Sequence, residues 1–338
     1  MSAKMRAVVC RDWCDYDDLV LDEIDRPVLR PGAVRVGIRY AGVSFATTLV
    51  VAGRYQRRPP LPFVPGTEIT GEVLEIGPDE NKFKIGDPVM AAIDWGGYAQ
   101  ETLVRRENLF PVPAGASLAD AVALPISYGT SYGALFWRAA LKAGEWLLVH
   151  GAAGGVGLAA VELAKAKGAT VVALASTADK RAEVARRGAD HVIDSLDSNW
   201  ADAVRTATGG EGVDVVYDSM GGDVFHQSLR LLKAGGRSLT IGFASGAIPE
   251  LKTNILLLKN ISVLGFNWGH YLGWSPVDER SRHAAAVAGV MADLNGLWQD
   301  GKIAPTVHRT LPLAAFREAM AEVQGRRAIG RVVLEVGA

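Results

Sequence analysis

The sequence predicts an α/β protein in which a doubly wound parallel sheet is joined to a second, β-rich domain, and three observations predict it. Residues 146–181, WLLVHGAAGGVGLAAVELAKAKGATVVALASTADKR, read as one strand–helix–strand unit with Gly151, Gly154 and Gly157 recurring every third residue in its first turn. Strand and helix patterns alternate from there to residue 266. Residues 1 to about 120 instead carry short β-rich runs divided by Gly, Pro and Asp.

The glycine turn carries the most chemistry. Its spacing lets the backbone turn tightly, approach a ligand closely and pack helix against strand. The helix N-terminus that follows presents N–H groups and a positive dipole end to an anion such as a pyrophosphate. Such a turn also serves ligand-free α/β proteins as a packing device. The dinucleotide fingerprint requires a strand before the turn and a helix after it, and both are present.

Cofactor choice is read at the end of the second strand, where an NAD site carries an acid for the ribose 2′-hydroxyl. Here stand Ala175, Ser176 and Thr177, with Lys180 and Arg181 beyond them. Hydroxyls and positive charge suit a 2′-phosphate, so the reading is NADPH, with an ordinary solvated helix face as the alternative for the two basic residues.

In chain order, β runs are expected at 33–40, 69–76 and 88–93, separated by Arg30-Pro31-Gly32, Val64-Pro65-Gly66, Gly77-Pro78-Asp79 and Ile85-Gly86-Asp87-Pro88. This is the pattern of a compact, mostly antiparallel, barrel-like domain. Ser117 reads as an N-cap with Asp120 in capping-box register, and residues 126–140 as a long helix. Strands follow at 146–150, 170–174, 191–194, 213–218, 236–242 and 261–266, with helices between them at 155–167, 178–187, 199–208, 223–233 and 253–259. Beyond Trp268 the alternation stops: a helix is expected at 278–300, a strand at 306–309, a helix at 313–323 and a strand at 331–336. The chain is therefore expected to return to the first domain. The predicted division is 1–124 with 268–338 for the β-rich catalytic domain and 125–267 for the dinucleotide domain, with a cleft between them.

A chain of 338 residues, 49% hydrophobic and 22% charged, is long enough for two buried cores. A net charge of −1 gives no electrostatic reason to expect nucleic acid or an anionic membrane as partner. The N-terminus lacks the apolar core of a signal peptide, and the uncharged run at 121–137 is interrupted by Pro125 and small and polar residues. The two cysteines, Cys10 and Cys14, are too few for a disulfide framework, so a cytoplasmic setting is expected.

The stretches VHGAAGGVGLAA, GVSFATTLVVAGRYQRRPPLPFVPGTEITGEV, FKIGDPV, WGGYAQ, ALPISYGTSYGAL and GRRAIGRVVL resemble, at these spacings, the medium-chain dehydrogenase/reductase superfamily and its zinc-free, ζ-crystallin-like quinone oxidoreductase branch. The resemblance spans nearly the whole chain. It implies a GroES-like catalytic domain, a Rossmann domain, NADPH as hydride donor, and a homodimer joined through the Rossmann edge strand at 261–266. It carries over Gly154, Gly155 and Val156 to the pyrophosphate, and Ser176, Thr177 and Lys180 to the 2′-phosphate. Gly242 and Phe243 follow the fifth strand. Thr130 belongs to the linking helix, Phe266, Asn267 and Trp268 to the nicotinamide, and Arg326 to the adenosine phosphate. Two positions depart from many relatives: Ser44 stands where Asn is common, and Ser195 where an aromatic ring or His meets the adenine.

No metal is expected, because the zinc-ligand positions of the superfamily are Ser44 and Thr67 here and Glu68 alone supplies no site. No four-cysteine lobe occurs between Met90 and Leu109 either. A zinc-free enzyme cannot readily stabilise a simple alkoxide, whereas hydride addition to a quinone or enone gives a delocalised phenolate or enolate. Tyr55, in GRY, is the candidate hydrogen-bonding acid; the alternative is a ring that only lines or packs the site. Ser44, Phe45, Trp95 and Tyr128, with Trp268, form either a flat substrate pocket or part of the core. Arg54, Arg57 and Arg58 either attract an acyl-CoA phosphate or form a solvated loop. His150 reads as a buried strand-end residue, and Asp218 as either a group ordering a ribose or nicotinamide loop or a turn residue before Ser219 and Gly221. The expected activity is NADPH-dependent reduction of a quinone or other conjugated carbonyl. Rivals are an enoyl-type reductase of an activated C=C, and a non-catalytic NADPH-binding sensor.

Overall fold

The computed structural model describes residues 4–78 and 82–337, so Asp79 of the Gly77-Pro78-Asp79 breaker lies outside the described residues. The chain forms two compact units, one of residues 1–126, 269–299 and 304–338, the other of 127–268 and 300–303.

The first unit opens with a hairpin, β1 (Lys4–Val9) against β2 (Val20–Asp25). A seven-stranded sheet follows, built on β3 (Ala33–Val43), β4 (Glu68–Ile76), β5 (Pro88–Ala92), β6 (Glu101–Arg105) and β7 (Leu109–Pro111). The central β3 is long enough to pair with both β4 and β6, and its register shifts against β4 between Arg35 and Val36 and between Ile38 and Tyr40. Such bulges bend a strand, which is how one sheet curls into a barrel-like form. The approach of β3 to β4 needs glycine, because a Cβ on Gly71 would meet the Gly37 carbonyl oxygen at 1.9 Å. Val34, Val36, Ile38, Ile69, Val73 and Val89 fill the interior from these strands.

The second unit carries a six-stranded parallel sheet: β8 (Trp146–Val149), β9 (Thr170–Ala175), β10 (His191–Asp194), β11 (Val213–Asp218), β12 (Leu232–Thr240) and β13 (Ser262–Gly265). Their order is β10-β9-β8-β11-β12-β13, so the winding reverses between β8 and β11. Ligands of doubly wound sheets bind outside the carboxyl ends of the strands at such a reversal. Leu147, Leu148, Val149 and Val171–Ala175 are all buried, as expected where helices cover both faces.

The final strands β14 (Val307–Pro312) and β15 (Arg331–Glu335) return to the first unit, β15 pairing antiparallel with β3. Phe316, Ala319 and Met320 of the helix Phe316–Gln324 pack into the same core.

Two elements differ from expectation. The long helix expected at 126–140 is a short α-helix, Gly129–Tyr132, flanked by wider π-helical turns at Leu124–Tyr128 and Gly133–Arg138. A Cβ on Gly129 would meet Trp268 Nε1 at 2.7 Å and one on Gly133 would meet Phe266 Cζ at 2.4 Å, so these glycines admit the two rings. The fifth parallel strand starts at Leu232 instead of 236, because the backbone is already extended at Leu232 (φ −69°, ψ 139°) directly after the helix ends at Leu231; Gly235, with φ of +79°, lies in the irregular stretch where the register against β11 shifts between Val213 and Val215.

Candidate functional site

The turn between β8 and the helix Gly155–Ala166 divides its work among three glycines. Gly151 makes the turn, at φ of +61°, with Ser219 Oγ 2.8 Å from where a Cβ would lie. Gly157 packs the helix, since a Cβ there would meet the Gly151 carbonyl oxygen at 2.2 Å. Gly154 leaves space: the nearest such atom is 3.4 Å away, an ordinary contact. Gly154 is also the helix N-cap and makes no side-chain cap, so the first-turn N–H groups are left to a ligand. Gly155 and Val156 begin that helix, and the Val156 carbonyl accepts a hydrogen bond from Ser131 Oγ at 2.7 Å. Tyr217, buried in β11, completes the tie through its hydroxyl, 2.8 Å from Ser131 Oγ. This cradle fits a pyrophosphate.

The floor of the turn is structural. His150 is buried, its Nε2 lies 2.7 Å from Ser228 Oγ, and its ring meets Trp200 edge-on. Burial drives its pKa down to about 4 although the nearby Asp218 carboxylate opposes this, so it is neutral near pH 7. Asp218 accepts from the backbone N–H groups of Met220 and Gly221 at 2.8 and 2.9 Å, which makes it a turn residue.

At the end of β9, Thr177 caps the helix Ala178–Arg186 by accepting from the Lys180 N–H, and its side chain is exposed. Arg181 is committed elsewhere: it bonds Asp194 at 2.8 Å and the Ser176 carbonyl at 3.0 Å. That pairing offsets the one acid at the end of β10 and leaves Ser176, Thr177 and Lys180 as the polar surface there. Ser195 sits beside them, its N–H donating to the Ala175 carbonyl at 3.2 Å. Gly242 and Phe243 lie in the loop after β12, where Ala244 donates to the Ser219 carbonyl and holds that loop against the one after β11. Thr130 is half-buried on the linking helix.

Among Phe266, Asn267 and Trp268, the Trp268 ring is buried, stacked at 26° on Phe266 and tilted against Trp137. The ring expected beside the nicotinamide is therefore packed into its own unit, while Asn267 is exposed. Arg326 belongs to the first unit, exposed and in left-handed backbone at φ of +55°.

The first unit holds a small cavity of about 40 Å³ in which Tyr55, Arg57, Thr67, Trp95 and Trp274 come together. Burial pushes the Tyr55 phenol above its usual range, with the Arg57 charge opposing, so the hydroxyl keeps its proton near neutral pH. Arg57 lies over the rings of Trp95 and Trp274 and donates to Asp94 at 2.9 Å. Asp94 also accepts from Nη2 of the buried Arg280 at 3.0 Å, and Arg280 Nε donates to Asp278 at 2.9 Å. A larger hollow of about 660 Å³ shares the Phe63, Asp94 and Trp95 wall but not Tyr55. Of the two, only the Tyr55 cavity pairs a protonated donor with indole walls; at about 40 Å³ it has room for a few waters, so a flat acceptor would meet the Tyr55 hydroxyl at its mouth and not be enclosed.

Three expected pocket residues lie outside this cavity. Ser44 is the N-cap of the helix Phe45–Val51, accepting from the Thr47 N–H, and neither it nor Phe45 lines the cavity. Tyr128 is buried in the second unit with its hydroxyl on Glu162, so its polar end serves helix packing there. Trp274 is among the wall residues not singled out from the sequence as pocket positions; it follows Gly273, whose φ of +84° marks a tight turn that places the indole.

Residues 30–114 match the Alcohol dehydrogenase GroES-like domain family and residues 155–282 the family described as Zinc-binding dehydrogenase. A Quinone oxidoreductase-like protein 2 from Rattus norvegicus is 36% identical over 336 residues, spanning 99% of this chain and 93% of its own length. The chain belongs to the medium-chain dehydrogenase/reductase superfamily, in the quinone oxidoreductase family. The Quinone oxidoreductase of Homo sapiens is 30% identical over 333 residues, covering 98% of this chain and 97% of its own. A mycobacterial protein whose structure was solved in complex with NADPH is 29% identical at a TM-score of 0.87, covering 98% of this chain and 99% of its own. Membership makes the protein an oxidoreductase with a GroES-like and a Rossmann-type domain.

The zinc in the second domain family's description does not fit the superfamily's catalytic positions in this chain. Ser44 is a cap, Thr67 lacks an imidazole, and the buried Glu68 carboxylate is held by Arg331. That ion pair is the only charge compensation for Glu68 among the described residues. No helix among the described residues is long and apolar enough to cross a membrane. Cys10 and Cys14 are free, and burial pushes the Cys10 thiol up to about 12.

Proposed function

We propose that the protein is an NADPH-dependent, zinc-independent reductase of quinones or other flat conjugated carbonyls. The observation that carries this reading is the Tyr55 cavity: a protonated phenol between Trp95 and Trp274 in a site with no zinc donor set. Among the described residues no hydrogen bond engages the Tyr55 hydroxyl, which leaves it to donate to an acceptor carbonyl. A conjugated acceptor needs only that hydrogen bond, because charge from the incoming hydride spreads over the ring or enolate. The bound nicotinamide supplies the hydride. The chain holds the cofactor pyrophosphate on the 151–157 turn and the 2′-phosphate on Ser176, Thr177 and Lys180, which favours NADPH over NADH. The names of the quinone oxidoreductase relatives support the acceptor class.

The enoyl thioester reading is weakened by Arg57. Its guanidinium is held by Asp94 and two indoles and is not free to take an acyl-CoA phosphate. The proposed partner is a second copy joined through β13, an edge strand with exposed Leu257 and Leu258 beside it on the preceding helix.

The test is NADPH oxidation against quinones, enones and enoyl thioesters with wild type and Tyr55→Phe. Quinone turnover that falls about 100-fold in the variant, with NADPH affinity unchanged, is expected. Turnover confined to enoyl thioesters would replace the quinone reading. NADPH binding with no turnover on any acceptor would leave the sensor reading in its place.

A further inference from the structure

Outside the cavity, three metal-ligating side chains converge on the segment that carries Trp274. His270, Glu279 and His283 each offer a ligand atom, and these atoms lie within 4.8 Å of one another. Glu279 and His283 are four residues apart at the start of the helix Arg280–Gln299, so they share one face, and the His283 N–H donates to the Glu279 carbonyl. His270 comes from the preceding short helix Trp268–Tyr271.

The details favour a cation over a chance cluster. His270 Nδ1 lies 2.8 Å from Ser275 Oγ, which fixes the ring and turns Nε2 towards Glu279, 4.0 Å from its Oε2. Metal-binding histidines are oriented in this way by a bond at the other nitrogen. His283 Nε2 is buried and has no hydrogen-bond partner, an unsatisfied polar atom that a ligand would relieve. The Glu279 carboxylate leaves Oε2 to the cluster, because its ion pair with the exposed Arg282 uses Oε1 at 3.0 Å. Two imidazoles and one carboxylate suit a zinc-class divalent cation, with water in a fourth place. Bonds of about 2.0–2.2 Å need the three groups to draw inward by little more than a rotamer adjustment.

We propose that His270, Glu279 and His283 form a site for a zinc-class divalent cation that clamps the loop carrying Trp274 into the wall of the Tyr55 cavity. The site lies apart from the superfamily's zinc positions at Ser44 and Thr67. Binding closes the loop from His270 to Glu279, which contains Trp274, and the next residue, Arg280, reaches Asp94 and through it Arg57. Occupancy therefore orders the cavity wall without placing metal on the substrate.

The experiment titrates untagged, chelator-treated full-length protein with Co²⁺ and then Zn²⁺, following the cobalt visible spectrum and amide hydrogen exchange over residues 269–283. One Co²⁺ per chain is expected, with ligand-field bands, no thiolate charge-transfer band, displacement by Zn²⁺ and increased protection of that segment. Removing a ligand in His283→Ala or Glu279→Gln should weaken binding about 100-fold, and Ser275→Ala about tenfold. Glu279→Gln keeps the side-chain shape and so gives the same reading if His283→Ala does not fold. No uptake of Co²⁺ or Zn²⁺, uptake unchanged in these variants, or a thiolate band implicating Cys10 and Cys14 would each overturn the proposal.

Discussion

The glycine turn of the second unit and the Tyr55 cavity of the first are built by opposite means. In the turn, backbone does the recognition, and the glycines matter for the Cβ atoms they lack. In the cavity, side chains from three separate stretches, around Tyr55, Asp94 and Trp274, come together, and an ionic network of Arg57, Asp94 and Arg280 links those stretches. A site made of backbone tolerates almost no change at its close contacts. A site made of side chains fails in part, one property at a time.

The largest expected effect follows from the first half of that contrast. A Cβ at Gly157 has the Gly151 carbonyl oxygen 2.2 Å away, so Gly157→Ala must displace the turn itself. A loss of about 3 kcal/mol in unfolding free energy is expected, together with loss of NADPH binding. Gly154→Ala has its nearest neighbour at 3.4 Å and should fold as wild type while binding NADPH at least tenfold more weakly. Denaturant melts and cofactor titrations of the two variants separate packing from ligand approach. Equal stability losses in both would mean that the two glycines do the same work.

His150, beneath the same turn, gives the next effect. Its folded-state pKa of about 4 lies below the ordinary 6.5, so between these values the unfolded chain takes up the proton first. Its contribution is thus fully present above pH 6.5 and is lost as pH falls through 6.5 towards 4, by about 3 kcal/mol in all. In His150→Gln, which keeps a polar group near Ser228, that part of the acid destabilisation should vanish. An unchanged stability profile from pH 7 to pH 4 in the variant would refute the assignment.

Legibility in the sequence follows the same divide. The six parallel strands and the glycine turn were readable because periodicity and local spacing determine them, as with the buried runs Leu147–Val149 and Val171–Ala175. The cavity was half readable. Tyr55 and Trp95, both candidates from the sequence, line one cavity, but Trp274 lies more than two hundred residues from Tyr55 and no local pattern ties it there. Ser44 carries two signals at once, since a Ser before a helical run is also a capping residue, and the structure places it as that cap. Tyr128 is ambiguous from sequence because an aromatic residue in an apolar helix looks the same whether it faces a pocket or, as here, buries its hydroxyl on Glu162. The pairing of Arg181 with Asp194 depends on the parallel register of β9 with β10 and could not be read from spacing.

On the cavity side, Arg280→Met tests partial failure. Arg280 is buried between Asp94 and Asp278, and removing it leaves Asp94 with Arg57 alone. Because Asp94 keeps some solvent contact, a cost of about 2 kcal/mol is expected instead of the full penalty of a buried orphan charge. Acceptor KM should rise while NADPH affinity stays unchanged. A matching fall in NADPH affinity would show that the two sites are coupled through this network.

The smallest effect is the most selective, and it returns to the cofactor. Lys180→Ala removes a charge but not the helix cap, because Thr177 accepts from the backbone N–H of residue 180. Arg181 cannot take over, being held by Asp194 and the Ser176 carbonyl. If Lys180 meets the 2′-phosphate, NADPH should bind about tenfold more weakly, roughly 1.4 kcal/mol, and NADH as before. If both cofactors weaken alike, Lys180 supports the adenosine end without reading the phosphate, and the preference for NADPH would rest on the Ser176 and Thr177 hydroxyls alone. The variant Ser176→Ala, which leaves the Thr177 cap in place, would then measure how much of that preference the Ser176 hydroxyl carries.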